Sequence, residues 1–181
     1  LCREKNVPFV LDAAQSAGVV PIDGKEMGIS ALCLTGHKGL LGPQGIGVLL
    51  LDSELAGRLN PLVAGGTGSA SNLLSMPDFL PDRLEAGTLN LPGILGLGAA
   101  LSYIEEKGIQ RIAAQEKTLA GQFIESVREM QGVSLVGIPS ADGRTGVVSC
   151  DFAQRDNAEV ACRLDAEYGI MTRCGLHCAP L

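Results

Sequence analysis

The sequence predicts an α/β fold, in which helices cover the faces of a sheet, followed by a smaller α+β domain. Short runs that are apolar on both faces occur at residues 7–12, 31–35 and 46–51. Such runs are typical of strands that helices cover on both sides. Longer segments with helical spacing of apolar residues begin near residue 91. We therefore divide the chain near residue 100, into domains at 1–100 and 101–181.

The composition excludes several classes of protein. Of the 181 residues, 46% are hydrophobic and 19% are charged, so the chain can bury a sizeable core. A net charge of −6 argues against a nucleic-acid partner, which normally meets a basic patch. No apolar run approaches the roughly 20 residues that a membrane-spanning helix needs, so we expect no membrane association.

The cysteines indicate a reducing compartment. Six of them are scattered through a chain that has enough apolar residues for an ordinary core, which is not the pattern of a disulfide scaffold. We therefore expect a cytoplasmic location. Cys174 and Cys178 flank His177, but a zinc site would need a second pair of ligands, and we expect no metal.

The first long helix has clear signals at both ends. Asn90 is a good N-cap, Pro92 fits the first turn, and Gly108 ends the helix. Its apolar face is expected to comprise Ile94, Leu95, Leu97, Leu101 and Ile104.

The second half of the chain predicts a smaller α+β arrangement. A helix over about 109–130 is expected to face inward with Ile112, Leu119, Phe123, Ile124, Val127 and Met130. Strands are expected near 133–137, 146–152 and 170–174, the last two flanking a helix over about 157–168. Asp156 and Gly169 mark the ends of that helix, and Glu159 is placed for a capping box.

Two polar clusters follow predicted strands. The first is Asp12-Ala-Ala-Gln15, at the carboxyl end of a strand, which is the edge where open α/β sheets bind ligands. An acid at such a position is also common as a simple turn or helix cap. The second is the segment from Thr35 to Gly47, in which four glycines follow Lys38.

The lysine segment is not a P-loop, because Lys38 precedes the glycines and no Ser or Thr follows it directly. A lysine in a loop is most often a solvated surface charge. A lysine held at the end of a buried strand is instead partly desolvated, which favours the neutral amine that forms a Schiff base.

Four segments together resemble the class V aminotransferases, and most closely their cysteine desulfurase and selenocysteine lyase branch. They are residues 12–15, 35–47, 83–90 and 173–181, in the family's order and spread over nearly the whole chain. The resemblance implies a fold-type I enzyme that uses pyridoxal 5′-phosphate (PLP). Residues 1–100 would be the C-terminal part of the large PLP-binding domain, and 101–181 a truncated small domain.

The resemblance also implies residue roles around the cofactor. Lys38 matches the lysine that binds PLP covalently, and Asp12 matches the carboxylate that pairs with the ring nitrogen. Keeping that nitrogen protonated makes the ring an electron sink. Gln15 matches the partner of the ring hydroxyl oxygen, while Thr35 and His37 match donors to the phosphate.

Further roles concern the substrate and a second subunit. Thr88 matches a phosphate donor that reaches into the neighbouring site of a homodimer; alternatively it is an ordinary residue of the turn before a helix. Cys178 matches the nucleophile that accepts sulfur from cysteine as a persulfide, leaving alanine; alternatively it is a buried small residue. Arg173 matches an arginine near the substrate carboxylate, and His177 is available to favour the thiolate.

The loop around Cys178 departs from the usual family pattern. Cys174 stands where Thr or Ser is usual, and Leu176 stands where a second His is common. These differences leave the substrate open. Selenocysteine lyase, another lyase or transaminase reaction on a small amino acid with Cys178 as a bystander, and an inactive chain with a structural role are the alternatives.

The resemblance implies a longer protein with further parts of the site. Family members carry a glycine-rich phosphate turn and a side chain stacked on PLP before the region matched here, and another substrate-binding arginine after it. We therefore expect the 181-residue chain alone to bind PLP weakly, to turn over little cysteine and to expose apolar faces. A sulfur-acceptor protein is the expected partner of the whole enzyme.

Overall fold

A computed structural model describes residues 1–70 and 72–177. The chain forms two compact units, Leu1–Ile112 and the part from Ala113 onward. Each unit has its own sheet and is described separately.

The first unit contains a three-stranded mixed sheet. Its strands are β1 (Val10–Asp12), β2 (Ala31–Thr35) and β3 (Gly47–Leu51). β2 lies in the middle, parallel to β1 and antiparallel to β3. All three predicted strands are present, although the first begins at Val10 rather than at residue 7.

Short helical segments and one long helix complete the first unit. They are α1 (Gly24–Met27), α2 (Ser53–Arg58), a single 3-10 turn (Asp82–Leu84) and α3 (Leu91–Lys107). The signals predicted for α3 are confirmed: the Asn90 side chain accepts from the Gly93 amide, Pro92 lies in the first turn, and Gly108 follows the last helical residue.

The core of the first unit lies between the sheet and α3. Its buried members are Ala13, Ala17, Leu40, Leu97 and Ile104. Half-buried side chains from all three strands pack around them, including Leu11, Leu32, Leu34 and Val48. The core therefore supports the turns that directly follow β1 and β2, since Ala13, Ala17 and Leu40 all belong to those turns.

Several apolar side chains of the predicted strands and helices are exposed, which agrees with the expectation that the 181-residue chain alone exposes apolar faces. Val10 is 59% exposed and Leu50 is 53% exposed, so neither outer strand is covered on both faces. On α3, Leu97 and Ile104 are buried, whereas Ile94, Leu95 and Leu101 are exposed. Helical spacing shows which residues share a face, but whether another element covers that face depends on the rest of the fold.

The second unit contains a small antiparallel sheet and two helices. Helix α4 (Ile109–Arg128) enters it from the first unit, and β4 (Ser134–Val136), β5 (Ser149–Asp151) and α5 (Asn157–Tyr168) follow. The predicted ends of α5 are confirmed: the Asp156 carboxylate accepts from two amides of the first turn, and Gly169 adopts a left-handed conformation.

Two expectations for the second unit are wrong. Residues 170–174 do not form a strand, because an extended apolar run becomes a strand only when another strand pairs with it. On α4, Ile124 and Val127 are buried as predicted, but Leu119 and Phe123 are about half exposed, and so is Met130 beyond its end.

Candidate functional site

Asp12 ends β1 and is held by the turn that follows it. Its Oδ1 accepts a hydrogen bond of 2.9 Å from the backbone amide of Ala14, so the carboxylate itself closes the turn. The next residue, Ala13, is fully buried and donates to the Cys33 carbonyl at 2.9 Å, which fixes the turn against β2. Asp12 and Gln15 remain exposed at this edge of the sheet.

Lys38 lies in a loop that begins where β2 ends at Thr35. We call residues 36–46 the lysine loop. Backbone bonds close it at both ends: the Gly36 amide donates to the Ile46 carbonyl at 3.0 Å, and the Gly42 amide donates to the Gly36 carbonyl at 2.7 Å. Within this closed loop Lys38 is half-buried and His37 is exposed.

The turn after β1 packs against the lysine loop, backbone to backbone. A Cβ at Gly39 would overlap the carbonyl oxygen of Ala17, and a Cβ at Gly18 would overlap the carbonyl of Gly39. Only glycines allow main chains to approach this closely. Because β1 and β2 are parallel neighbours, the structure brings Asp12 and Lys38 to the same sheet edge.

The lysine loop also contacts the start of α3. The side-chain amide of Asn90 donates to the Gly45 carbonyl at 3.1 Å, and a Cβ at Gly96 would lie 2.9 Å from the Pro43 ring. Thr88 is exposed and stands two residues before Asn90. The structure therefore places Thr88 in the segment that leads from the 3-10 turn to α3.

Arg83, the first residue of the third matching segment, has a structural contact. Its guanidinium donates to the backbone carbonyl of Leu59, just after α2. A second bond in this region joins the Gly87 amide to the Gly66 carbonyl at 2.8 Å. Both bonds tie the approach to α3 to the loop that follows α2.

The predicted substrate residues belong to the second unit. Arg173, Cys174 and His177 are exposed in the irregular segment after α5, and His177 has a positive φ of 54°. Cys178 lies outside the described residues. Another thiol of this unit, Cys150 on β5, is half-buried, and burial raises its pKa while the nearby Arg144 charge opposes that rise.

The side chains at the first unit's sheet edge fit PLP by their chemistry. In the described ranges, Gln15, Thr35, His37 and Lys38 make no side-chain hydrogen bond or ion pair with protein groups, so their donors and acceptors are available. The Lys38 amine matches the PLP aldehyde, the Asp12 carboxylate matches the ring nitrogen, and the Gln15 amide matches the ring hydroxyl. The Thr35 hydroxyl and the His37 imidazole match the phosphate.

Other site types lack the necessary groups in the described part of the chain. Residues 1–70 and 72–177 contain no cluster of three His, Cys, Asp or Glu side chains that could hold a metal. Their helices also include none with the length and apolar character for crossing a membrane.

Comparison with known proteins identifies the family. The profile described as aminotransferase class-V matches residues 1–181. The chain belongs to the class V aminotransferase family. The probable cysteine desulfurase of Pyrococcus abyssi is 39% identical to this family member over 184 residues, which cover 99% of the chain and 45% of that relative. A cysteine desulfurase of Klebsiella pneumoniae strain 342 is 37% identical over 182 residues.

Solved structures agree with this assignment. The apo cysteine desulfurase from Thermococcus onnurineus NA1 superposes with a TM-score of 0.87 at 36% identity, covering 98% of this chain and 44% of that one. The cysteine desulfurase CsdA from Escherichia coli, solved as an S-sulfonic acid, gives 0.83 at 28% identity, with the same two coverages. The predicted family and fold-type I class are confirmed, and the chain spans less than half the length of these relatives.

Proposed function

We propose that the complete protein containing this chain is a PLP-dependent cysteine desulfurase that converts cysteine to alanine and holds the released sulfur as a persulfide. The observation that carries the proposal is the sheet edge where Asp12 ends β1, Lys38 follows the adjacent parallel strand β2, and the two turns after these strands pack closely at Gly18 and Gly39. The relatives described above, named cysteine desulfurase or probable cysteine desulfurase, support the same activity.

The side chains at this edge would divide the work of holding the cofactor. When bound, PLP supplies an electron sink for bonds at the substrate α-carbon. Lys38 would hold it covalently, and the Asp12 carboxylate would keep a proton on the ring nitrogen, because a nearby anion favours the charged form. Gln15 would donate to the ring hydroxyl oxygen, and Thr35 and His37 would donate to the phosphate.

The sulfur step requires a nucleophile, and Cys178 is our candidate. Its thiolate would attack the substrate sulfur, forming an S–S bond as the C–S bond breaks. The electron pair of that C–S bond stays with the substrate carbon, which then takes a proton to become the methyl group of alanine. Arg173 would bind the substrate carboxylate, and His177 would favour the thiolate form of Cys178.

The test is alanine release from cysteine by the complete protein loaded with PLP. Cys178→Ala should abolish alanine release yet keep the visible absorbance of bound PLP, whereas Lys38→Ala should lose that absorbance. A Cys178→Ala variant that releases alanine at the full rate would exclude the persulfide mechanism and favour transamination or another lyase reaction.

The substrate alternative is selenocysteine, which would use the same residues. Comparing kcat/KM for cysteine and selenocysteine separates the two activities. Protein that binds no PLP and is unaffected by Lys38→Ala would instead have a structural role. We also propose a sulfur-acceptor protein as partner, to be tested by transfer of labelled sulfur from the persulfide form.

We further propose a homodimer in which Thr88 donates to the phosphate in the neighbouring subunit's site. Subunit mixing provides a specific test, using inactive Lys38→Ala and impaired Thr88→Ala proteins. If Thr88 acts across the interface, the mixed dimer contains one intact site and activity returns. If Thr88 serves its own subunit, the mixed dimer has no intact site and activity stays low.

A cytoplasmic location is our remaining proposal, supported by five described cysteines, Cys2, Cys33, Cys150, Cys162 and Cys174, that form no disulfide. Cell fractionation of the natural host tests it directly.

A further inference from the structure

Asn90 connects two parts of the first unit through opposite ends of one amide group. Its Oδ1 accepts from the Gly93 amide at 3.1 Å and caps α3, while its Nδ2 donates to the Gly45 carbonyl at 3.1 Å. The two partners fix the orientation of the amide, because the flipped group would place its oxygen against the Gly45 carbonyl. The side chain therefore joins the lysine loop to the long helix.

The second of these contacts is more than a helix cap requires. Aspartate or serine would cap α3 as well as asparagine, since each has an oxygen that can accept from an amide of the first turn. Only asparagine also presents an N–H to the Gly45 carbonyl. Gly45 adopts a positive φ of 75°, so its carbonyl is directed by a conformation that other residues rarely take.

The lysine loop is held on its other side by the backbone contact between Gly39 and Ala17. The turn after β1 thus supports the loop near Lys38, and Asn90 supports its far end near Gly45. Thr88 lies two residues before Asn90, in the segment that this bond joins to the loop.

We propose that Asn90 is a positioning residue that fixes the lysine loop, and through it the Lys38 amine, relative to α3 and Thr88. This inference rests on the proposed function for its consequence, because a correctly placed amine matters only if Lys38 holds the cofactor. The hydrogen bond from Asn90 to Gly45 is itself a property of the folded chain and does not depend on the cofactor.

The experiment uses Asn90→Asp, which keeps the capping oxygen and replaces the donor to Gly45 with a second oxygen. In the complete protein without PLP, acetylation of Lys38 should become several-fold faster, measured by peptide mass spectrometry against Lys25 on α1 as an internal reference. With PLP, the variant should lose the cofactor several-fold faster and show a lower kcat with little change in KM.

Two further variants keep the result interpretable. Asp156→Asn makes the reverse exchange at the cap of α5, where the carboxylate contacts only the first turn, and should leave Lys38 acetylation unchanged. Asn90→Ser keeps a capping oxygen but is too short to reach Gly45, so it should also show faster Lys38 acetylation. Because it adds no charge, it tests the proposal even if Asn90→Asp unfolds the protein.

Wild-type acetylation of Lys38 and wild-type PLP retention in a folded Asn90→Ser protein would overturn the proposal. Faster Lys38 acetylation in a protein that proves to have no desulfurase activity would support the positioning role while contradicting the proposed function. The two inferences therefore fail separately.

Discussion

Asp12 lies opposite Cys33 in the parallel pairing of β1 and β2, so the acid that ends β1 stands two residues before Thr35, where β2 ends. Two residues of a strand span about 7 Å. Along the strand direction, Asp12 therefore lies about two residues before the start of the lysine loop. This spacing suits a ligand that contacts the acid at one end and the loop at the other.

Replacing Asp12 separates its structural role from its proposed chemical one. Asp12→Asn retains an oxygen that can accept from the Ala14 amide, so its free energy of unfolding without PLP should stay close to that of the wild type. Asp12→Ala should lose about 1 kcal/mol, because the turn loses its side-chain hydrogen bond. Both should bind PLP more weakly, since neither keeps the ring nitrogen protonated. Urea unfolding and PLP absorbance measure the two effects, and unchanged PLP affinity in Asp12→Asn would contradict the assignment.

The contact between the two turns predicts a large cost for a single methyl group. Gly39→Ala should destabilise the chain by about 1–3 kcal/mol, because its Cβ meets the backbone carbonyl of Ala17 rather than a movable side chain. The matched control is Gly98→Ala in α3, where a Cβ would meet no atom within 4 Å beyond its chain neighbours and the nearby backbone of its own helix. That variant should be more stable by about 0.5–1 kcal/mol, since alanine favours helix. Equal stabilities in denaturant would show that the close approach is absent.

A pH effect is expected from the ion pair between Lys117 on α4 and Asp142. Their charged atoms lie 2.5 Å apart, and the hydrogen bond and positive charge of Lys117 lower the pKa of Asp142 below its ordinary 3.8. A lowered folded-state pKa contributes stability that is present above 3.8 and lost as the pH falls through the folded value. The stability difference between wild type and Asp142→Asn should therefore shrink in acid.

The control for this effect is Lys117→Gln. In that background the effect of Asp142→Asn should depend much less on pH, because the lysine that chiefly lowers the carboxyl pKa is gone and only the weaker hydrogen bond with Ser140 still lowers it. Chemical denaturation at a series of pH values tests this. A pH-dependent difference of undiminished size without Lys117 would assign the effect to another group.

The thiols of the second unit should differ in reactivity. Burial raises the pKa of Cys150, so less of it is thiolate near neutral pH, and its side chain is also less accessible than the exposed Cys162. Iodoacetamide should therefore alkylate Cys162 several-fold faster than Cys150, as followed by peptide mass spectrometry. The ratio should approach one in denaturant, and a ratio near one in the folded protein would contradict the burial of Cys150.

Features with local causes could be predicted from the sequence. Asn90, Gly108, Asp156 and Gly169 mark helix ends because a cap depends on the few residues around it. The predicted strand at 170–174 is wrong because pairing depends on a distant segment. The exposure of Leu95 could not be read from periodicity for the same reason.

The candidate site shows the same contrast between features with local causes and features that depend on distant residues. That Asp12 and Lys38 follow strands could be predicted from the sequence, and their meeting at one edge follows from the parallel pairing. The sequence identified Asn90 only as a cap, and no local pattern indicates its bond to Gly45, 45 residues away. The glycines at 18 and 39 likewise give no sign in the sequence that they face each other.

The central position of β2 has a consequence for how the site would come apart. In the described sheet β2 is paired on both sides, whereas β1 has three residues and pairs only with β2. Local opening starts where few hydrogen bonds must break. In the 181-residue chain, opening of β1 would therefore move Asp12, whereas Lys38 follows the strand that is paired on both sides. In amide exchange of this chain, β1 should exchange before β2, so a fluctuation would displace the acid before the amine.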